Sequence, residues 1–192
     1  MSDQPRPDDV LLFWFGAPAE RGKRHKRWFE KSDAFDDEVR ERFLGLYEEA
    51  SVGHRAHWEA RPYDCLALIL VLDQFPRHMF RGTPRAFAAD DQALHAARHA
   101  VEQGYDRVLL PVERLFAYLP FEHSEALEDQ LRACELTKPL EAFAETADAY
   151  RFAVAHLEII RRFGRFPHRN AALGRASTPE ETAFLKQPGS SF

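Results

Sequence analysis

Asp73 extends an apolar stripe of Leu66, Ile69 and Leu70, at the C-terminal end of a segment that reads as one buried helix. A carboxylate there faces the negative end of the helix dipole and loses its water, so it needs a cation or several donors. Arg77, Arg81, Arg165 and Arg169 are the candidate partners, and the expectation is that Asp73 is buried and bonded to at least one of them. Either a structural ion pair or the anchor of a pocket satisfies that pattern.

Two loops supply cations around it. Arg77, His78 and Arg81 precede Gly82 in one, and Gln74 stands beside Asp73 at its start. Arg165, His168, Arg169, Asn170 and Arg175 crowd the other. The loops also echo each other, Phe75-Pro76-Arg77-His78 against Phe166-Pro167-His168-Arg169, each at the end of an apolar helical pattern. If they converge, they form a cationic surface suited to phosphate or carboxylate, because guanidinium forks match those anions. If not, aromatic-Pro steps merely stop two helices and the cations suit their C-terminal dipoles.

A third cluster is Glu122, His123, Glu125 and Asp129. The acids fall at i, i+3 and i+7, so one helix side carries them if the helix starts early, and with His123 they suit acid–base work or a metal. Acids at a helix start are equally explained by capping. His156 sits among Phe152, Ala153, Ile159 and Ile160 and reads as a core histidine with one partner. His95 and His99 lack the Glu of a metalloprotease helix, and no Walker loop, dinucleotide fingerprint or zinc-ribbon spacing occurs. No metal or cofactor is expected.

The elements that must hold these residues have helical period nearly throughout. An acidic start leads into Val10–Phe15. Ser32 caps an amphipathic helix whose inner face is Phe35, Val39, Phe43, Leu46, Tyr47 and Ala50, with Asp36, Asp37, Arg40, Glu41 and Glu48 toward water. Pro62 opens the apolar helix that Pro76 is expected to stop. Pro84 opens a helix to about Gln103. Pro111 opens a short one that Pro120 breaks. Ser124 caps the next, with Leu127, Leu131 and Cys134 inward. Helices from about Thr146 to Phe163 and Thr178 to Lys186 follow, and 187–192 reads as a loose tail. That is an all-α chain of about eight helices with short turns, which favours antiparallel hairpins stacked in one domain, 1–192.

Composition narrows the function classes. Of 192 residues 45% are hydrophobic, with 16 Phe, enough for a substantial core. Lys+Arg 26 against Asp+Glu 31 gives −5, so the basic excess of a nucleic-acid binder is missing. The longest apolar run, Cys65 to Leu72, is too short for a bilayer. The first ten residues lack a basic leader, and the 2 cysteines read as free buried thiols in a reducing compartment. A cytoplasmic protein with no membrane or nucleic-acid partner is expected.

Several stretches together resemble a family of uncharacterised bacterial proteins. They are Phe13-Trp14-Phe15, Trp28-Phe29, Leu72-Asp73-Gln74-Phe75-Pro76-Arg77, Phe80-Arg81-Gly82-Thr83, Ala86–Asp90, Tyr118–Glu125 with Asp129-Gln130, and Phe163–Asn170. The resemblance spans nearly the whole chain and implies a tetratricopeptide-like helical array. It implies no catalytic residue.

The residues therefore lead to a helical scaffold with a polar, cationic pocket that binds a small anion or an acidic peptide end. Asp73, Gln74, Arg77, His78, Arg81, His123, Glu125, Arg165, His168, Arg169 and Asn170 are its candidate lining. One alternative is a hydrolase-like enzyme using Asp73, His123 and His168. Another is a protein–protein adaptor on the concave face of the stack. A closed cavity with convergent titratable groups favours the first two, an open groove the adaptor.

Overall fold

The computed structural model describes residues 4–190, so residues 1–3 of the N-terminal stretch and 191–192 of the expected tail lie outside the described residues. About 70% of the chain is helical, in eight helices with no strand among the described residues. They are α1 (Pro7–Phe15), α2 (Asp33–Ser51), α3, α4 (Asp90–Glu102), α5 (Pro111–His123), α6 (Leu127–Thr137), α7 (Ala149–Phe163) and α8 (Pro179–Phe184). Helix α3 is continuous through Pro62–Ile69, a π-helical turn Leu70–Gln74 and Phe75–Met79. From α2 to α7 each helix packs on the next, and α1 lies on α3. No described helix is long and apolar enough to cross a membrane.

Ser32 caps α2 by accepting from the Phe35 N–H, and all six expected inner residues are buried. Losing that acceptor strands one of the four orphan N–H groups of a helix start. Ser32→Ala is expected to lower stability by about 1 kcal/mol, read as a shift of the urea midpoint at unchanged slope.

Both prolines expected to end helices sit inside them instead. In α3 the π turn widens the coil by one residue, with the Phe75 N–H reaching back to the Leu70 carbonyl. That looser turn relieves the clash and the missing donor that a proline brings to a regular helix. Helix α5 likewise runs through Pro120 to His123. Its end is secured by Gln130 of α6, whose amide donates to the carbonyls of Glu122 and Ser124, both at 2.6 Å. The helix expected from Pro84 divides: a short turn at Pro84–Phe87 gives way to α4, which begins at Asp90.

The face of α6 is turned from the expected one. Leu127 and Leu131 are exposed, and Asp129, Gln130, Ala133 and Thr137 face inward. Hydrogen bonds set this rotation: Gln130 closes α5, while Asp129 accepts from Arg98 and Ser124. Asp36, expected toward water, is buried for the same reason, held by His78 and by both prongs of Arg81.

The core is built on rings. Phe13, Phe35, Phe43 and Phe75 meet around Trp14, which stacks on Trp28, and Phe116 stands edge-on to both tryptophans. This cluster pins the basic segment 21–27 and Trp28 beside α3 and α5. At the other end, the tail starts in a turn, with Ser190 buried and its hydroxyl donating to the Leu185 carbonyl. Cys65 and Cys134 are free thiols, the second only half-buried, and burial pushes the Cys65 thiol up to about 12.

Candidate functional site

The end of α3 places Asp73 at the centre of a buried network. Its carboxylate is wholly inaccessible to solvent. One oxygen accepts from His123 Nδ1 at 2.7 Å and faces Arg77 at 3.1 Å; the other accepts from the Gln74 amide at 2.6 Å. Burial alone would raise this carboxyl. The Arg77 and His123 partners outweigh it and hold Asp73 well below the usual carboxylate range.

Arg77 also grips both oxygens of Asp90, at 2.9 and 3.1 Å, and Arg169 reaches the same carboxylate at 3.1 Å. The two cationic loops therefore do converge, on the first residue of α4. An acid is favoured at that position because the helix N-terminus is positive. The Arg169 guanidinium lies between the rings of Phe87 and Phe166, at 4.8 and 4.7 Å. Its Nε has no hydrogen-bond partner among the described residues. Burial, and then repulsion from Arg77, push Arg169 down to about 10.

A half-enclosed cavity of about 450 Å³ opens above this network. Gln74, Arg77, His78, Arg81, His123, His168 and Arg169 line it, as do Glu122 and His156. Apolar side chains complete the lining: Trp28, Phe29, Phe87, Leu115, Leu119 and Phe152. Arg24 bridges one side of the mouth, with its backbone N–H on Glu145 at 2.8 Å and its guanidinium on Asp148 at 2.5 Å.

Three expected site residues point elsewhere. Glu125 receives both prongs of Arg175 and the Phe166 N–H, Arg165 is bidentate on Glu181, and Asn170 bonds Ser177 and Arg175. These contacts fold the loop after α7 against α8 and leave its His168 and Arg169 toward the cavity. Glu122, Glu125 and Asp129 do not share a helix side, because α5 continues through Pro120 and the chain turns between Glu122 and Glu125. Arg81 serves Asp36 rather than Asp73.

Glu122 and His156 belong to the site, although the sequence pattern reads them as capping acid and core histidine. His156 Nδ1 donates to the Phe152 carbonyl at 2.8 Å, as an ordinary helix histidine can. Its ring lies 6.4 Å from that of His123. Glu122 is 1% exposed, its Oε1 has no hydrogen-bond partner among the described residues, and its Oε2 stands 3.6 Å from His156 Nδ1. Burial, with Asp73 nearby, pushes Glu122 up to about 8, so it is a neutral acid at neutral pH. Burial lowers all four cavity imidazoles: His78 and His123 fall below the ordinary value, His168 to about 4 and His156 to about 3.

The arrangement thus offers a neutral acid, neutral imidazoles and the guanidinium groups of Arg77, Arg81 and Arg169 in one pocket, with Arg24 at its mouth. Asp73 is an acceptor, so the neutral His123 carries its proton on Nδ1 and keeps a lone pair on Nε2. No group of three or more His, Cys, Asp or Glu among the described residues is placed to hold a metal ion.

The comparisons agree with this fold and leave its chemistry open. No curated protein matches the chain. A solved protein of unknown function from Agrobacterium tumefaciens is similar over 94% of this chain and 96% of its own, at 38% identity and a TM-score of 0.83. A family model described as a bacterial protein of unknown function, DUF924, matches residues 10–189. That span holds the whole cavity and the network beneath it, and the chain belongs to the DUF924 family.

Proposed function

We propose that this protein binds a small organic anion in the cavity above Asp73, on a scaffold of stacked helical hairpins of the tetratricopeptide-like kind. One observation carries the reading: a buried guanidinium, Arg169, lines the cavity, shares the Asp90 carboxylate with Arg77 and leaves its Nε without a hydrogen-bond partner among the described residues. Unmet buried donors are costly, and an anion is the partner that answers them best. The apolar part of the lining suits a ligand with a hydrocarbon or aromatic body. A half-enclosed cavity also favours a small molecule over the acidic peptide end or the adaptor's protein partner.

Differential scanning fluorimetry at fixed ionic strength tests this, with phenylacetate and inorganic phosphate as probes. At a hundredfold excess over Kd a bound anion stabilises the fold by about 3 kcal/mol, a shift of several degrees. Arg169→Gln keeps a planar group between Phe87 and Phe166 and should lose that shift. Equal responses in both proteins, or none, would overturn the proposal.

A second reading, acid–base catalysis, is favoured by the Asp73–His123 pair, which orients a lone pair at the cavity as a general base requires. His168, one of the expected acid–base groups, is held neutral at neutral pH, so Glu122 is the proton donor at hand. Among the described residues the cavity lining holds no Ser, Thr or Cys, so it offers no hydroxyl or thiol nucleophile for hydrolysis.

A further inference from the structure

The charges under the cavity cancel. Arg77 and Arg169 face Asp73 and Asp90 in one connected network, Arg24 and Arg81 are paired with Asp148 and Asp36, and Glu122 and the four imidazoles add nothing at neutral pH. A bound monoanion therefore brings one uncompensated negative charge into a buried place, and a dianion brings two. Removing such charge from water is expensive, and the site has one inexpensive answer, a proton. His123 can take it, because its Nε2 lone pair faces the cavity side while Asp73 on Nδ1 stabilises the imidazolium.

Glu122 supplies the second clue. It is buried and lines the cavity; among the described residues Oε1 has no hydrogen-bond partner and Oε2 stands 3.6 Å from His156 Nδ1, so neither oxygen has an acceptor for an acid proton. A buried acid with an unmet hydroxyl wants an acceptor, and a carboxylate oxygen is a strong one.

We infer that the cavity takes an organic monocarboxylate together with one proton, the carboxylate lying among Glu122, His123 and Arg169 and its apolar body against Trp28, Phe29, Leu115, Leu119 and Phe152. This rests on the anion-pocket reading and names its ligand class. No bond other than N–H and hydrogen bonds forms: the acid form of the buffer gives up the proton, which rests on His123 Nε2.

The groups facing this pair set its pH dependence. They are Asp73, Arg77 and His78 from α3, Asp90 from α4, Cys134 from α6, His156 from α7, and Arg81, His168 and Arg169 from the connecting loops. A bound carboxylate raises the proton affinity of His123, so binding takes up protons and strengthens as pH falls. From about pH 6 to about pH 8 the affinity should weaken by roughly tenfold per unit.

Isothermal titration calorimetry with phenylacetate, phenylacetamide and benzyl phosphate tests the inference. Run in two buffers of different ionisation enthalpy, phenylacetate should take up about one proton per molecule bound. Phenylacetamide, lacking the charge, and benzyl phosphate, carrying a second one, should each bind about tenfold or more weakly. Glu122→Leu should weaken phenylacetate about tenfold, whereas Glu122→Gln, which keeps a donor, should bind nearly as wild type. Glu122 makes no hydrogen bond that either substitution would break. His123→Gln should abolish the proton uptake. Benzyl phosphate binding as tightly as phenylacetate, or phenylacetate binding without proton uptake, overturns the monocarboxylate and leaves the anion pocket standing. No heat with either anion, together with no melting shift, removes both.

Discussion

Asp73→Ala is expected to lower the folding free energy by about 3 kcal/mol, against a few tenths for Glu41→Ala on the exposed face of α2. The carboxylate gathers Arg77, His123 and Gln74 in a place with no water to replace it. Removing it leaves a buried guanidinium and a buried imidazole N–H facing a void, and broken buried pairs cost far more than exposed ones. Arg77 keeps Asp90, which limits the loss. Because Asp73 titrates well below its ordinary range in the folded chain, its contribution is complete above about pH 4 and fades only as acid protonates it. Denaturant midpoints of the two variants at neutral pH decide the matter. Equal, small shifts would mean that Asp73 is dispensable to the fold.

The sequence made Asp73 visible because a lone acid in an apolar stripe has few physical solutions. Arg77, four residues on, and the convergence of the two cationic loops followed from the same argument. The prolines misled for a local reason. Pro76 and Pro120 normally end helices, yet a π turn accommodates the first, and both lie beside residues of the site. Such a turn has no signature in composition, since it depends on which carbonyl each N–H reaches. Once α5 runs through Pro120, Glu122 and His123 occupy its last turn rather than the start of a new helix. That single change moves Glu122 from a cap to the cavity floor.

Other misplacements share one cause: hydrogen bonding outranked apolar periodicity. Gln130 turns inward to close α5, and Leu127 and Leu131 turn outward as a consequence. Arg165 and Glu125 were grouped with the site by charge, but their partners, Glu181 and Arg175, lie in or beside a C-terminal segment whose packing no local pattern announces. The loop's Arg169 reaches the cavity because those pairs anchor the residues on either side of it.

Stability should peak near pH 6.5 and fall by about tenfold in the folding constant per unit toward pH 8. The alkaline limb belongs to Glu122. Its ordinary value is 4.5 and the fold raises it to about 8, so between those values the folded chain holds a proton that the unfolded chain has lost. Its stability is therefore whole below pH 4.5 and declines until pH 8, by about 4 kcal/mol in all. The acid limb belongs to His156 and His168, neutral in the fold and cationic when unfolded below 6.5. Their stability is present above that value and is lost as pH falls toward 3 and 4. Glu122→Gln, isosteric and uncharged, should flatten the alkaline limb and make the variant more stable than wild type at pH 8, while leaving the acid limb in place. Chemical denaturation of both proteins from about pH 5 to about pH 9 reads this directly, since the group is fully buried and screening by salt is small. If the two curves run parallel above neutrality, Glu122 is ionised in the fold, and the buried acid that the carboxylate site requires is not there.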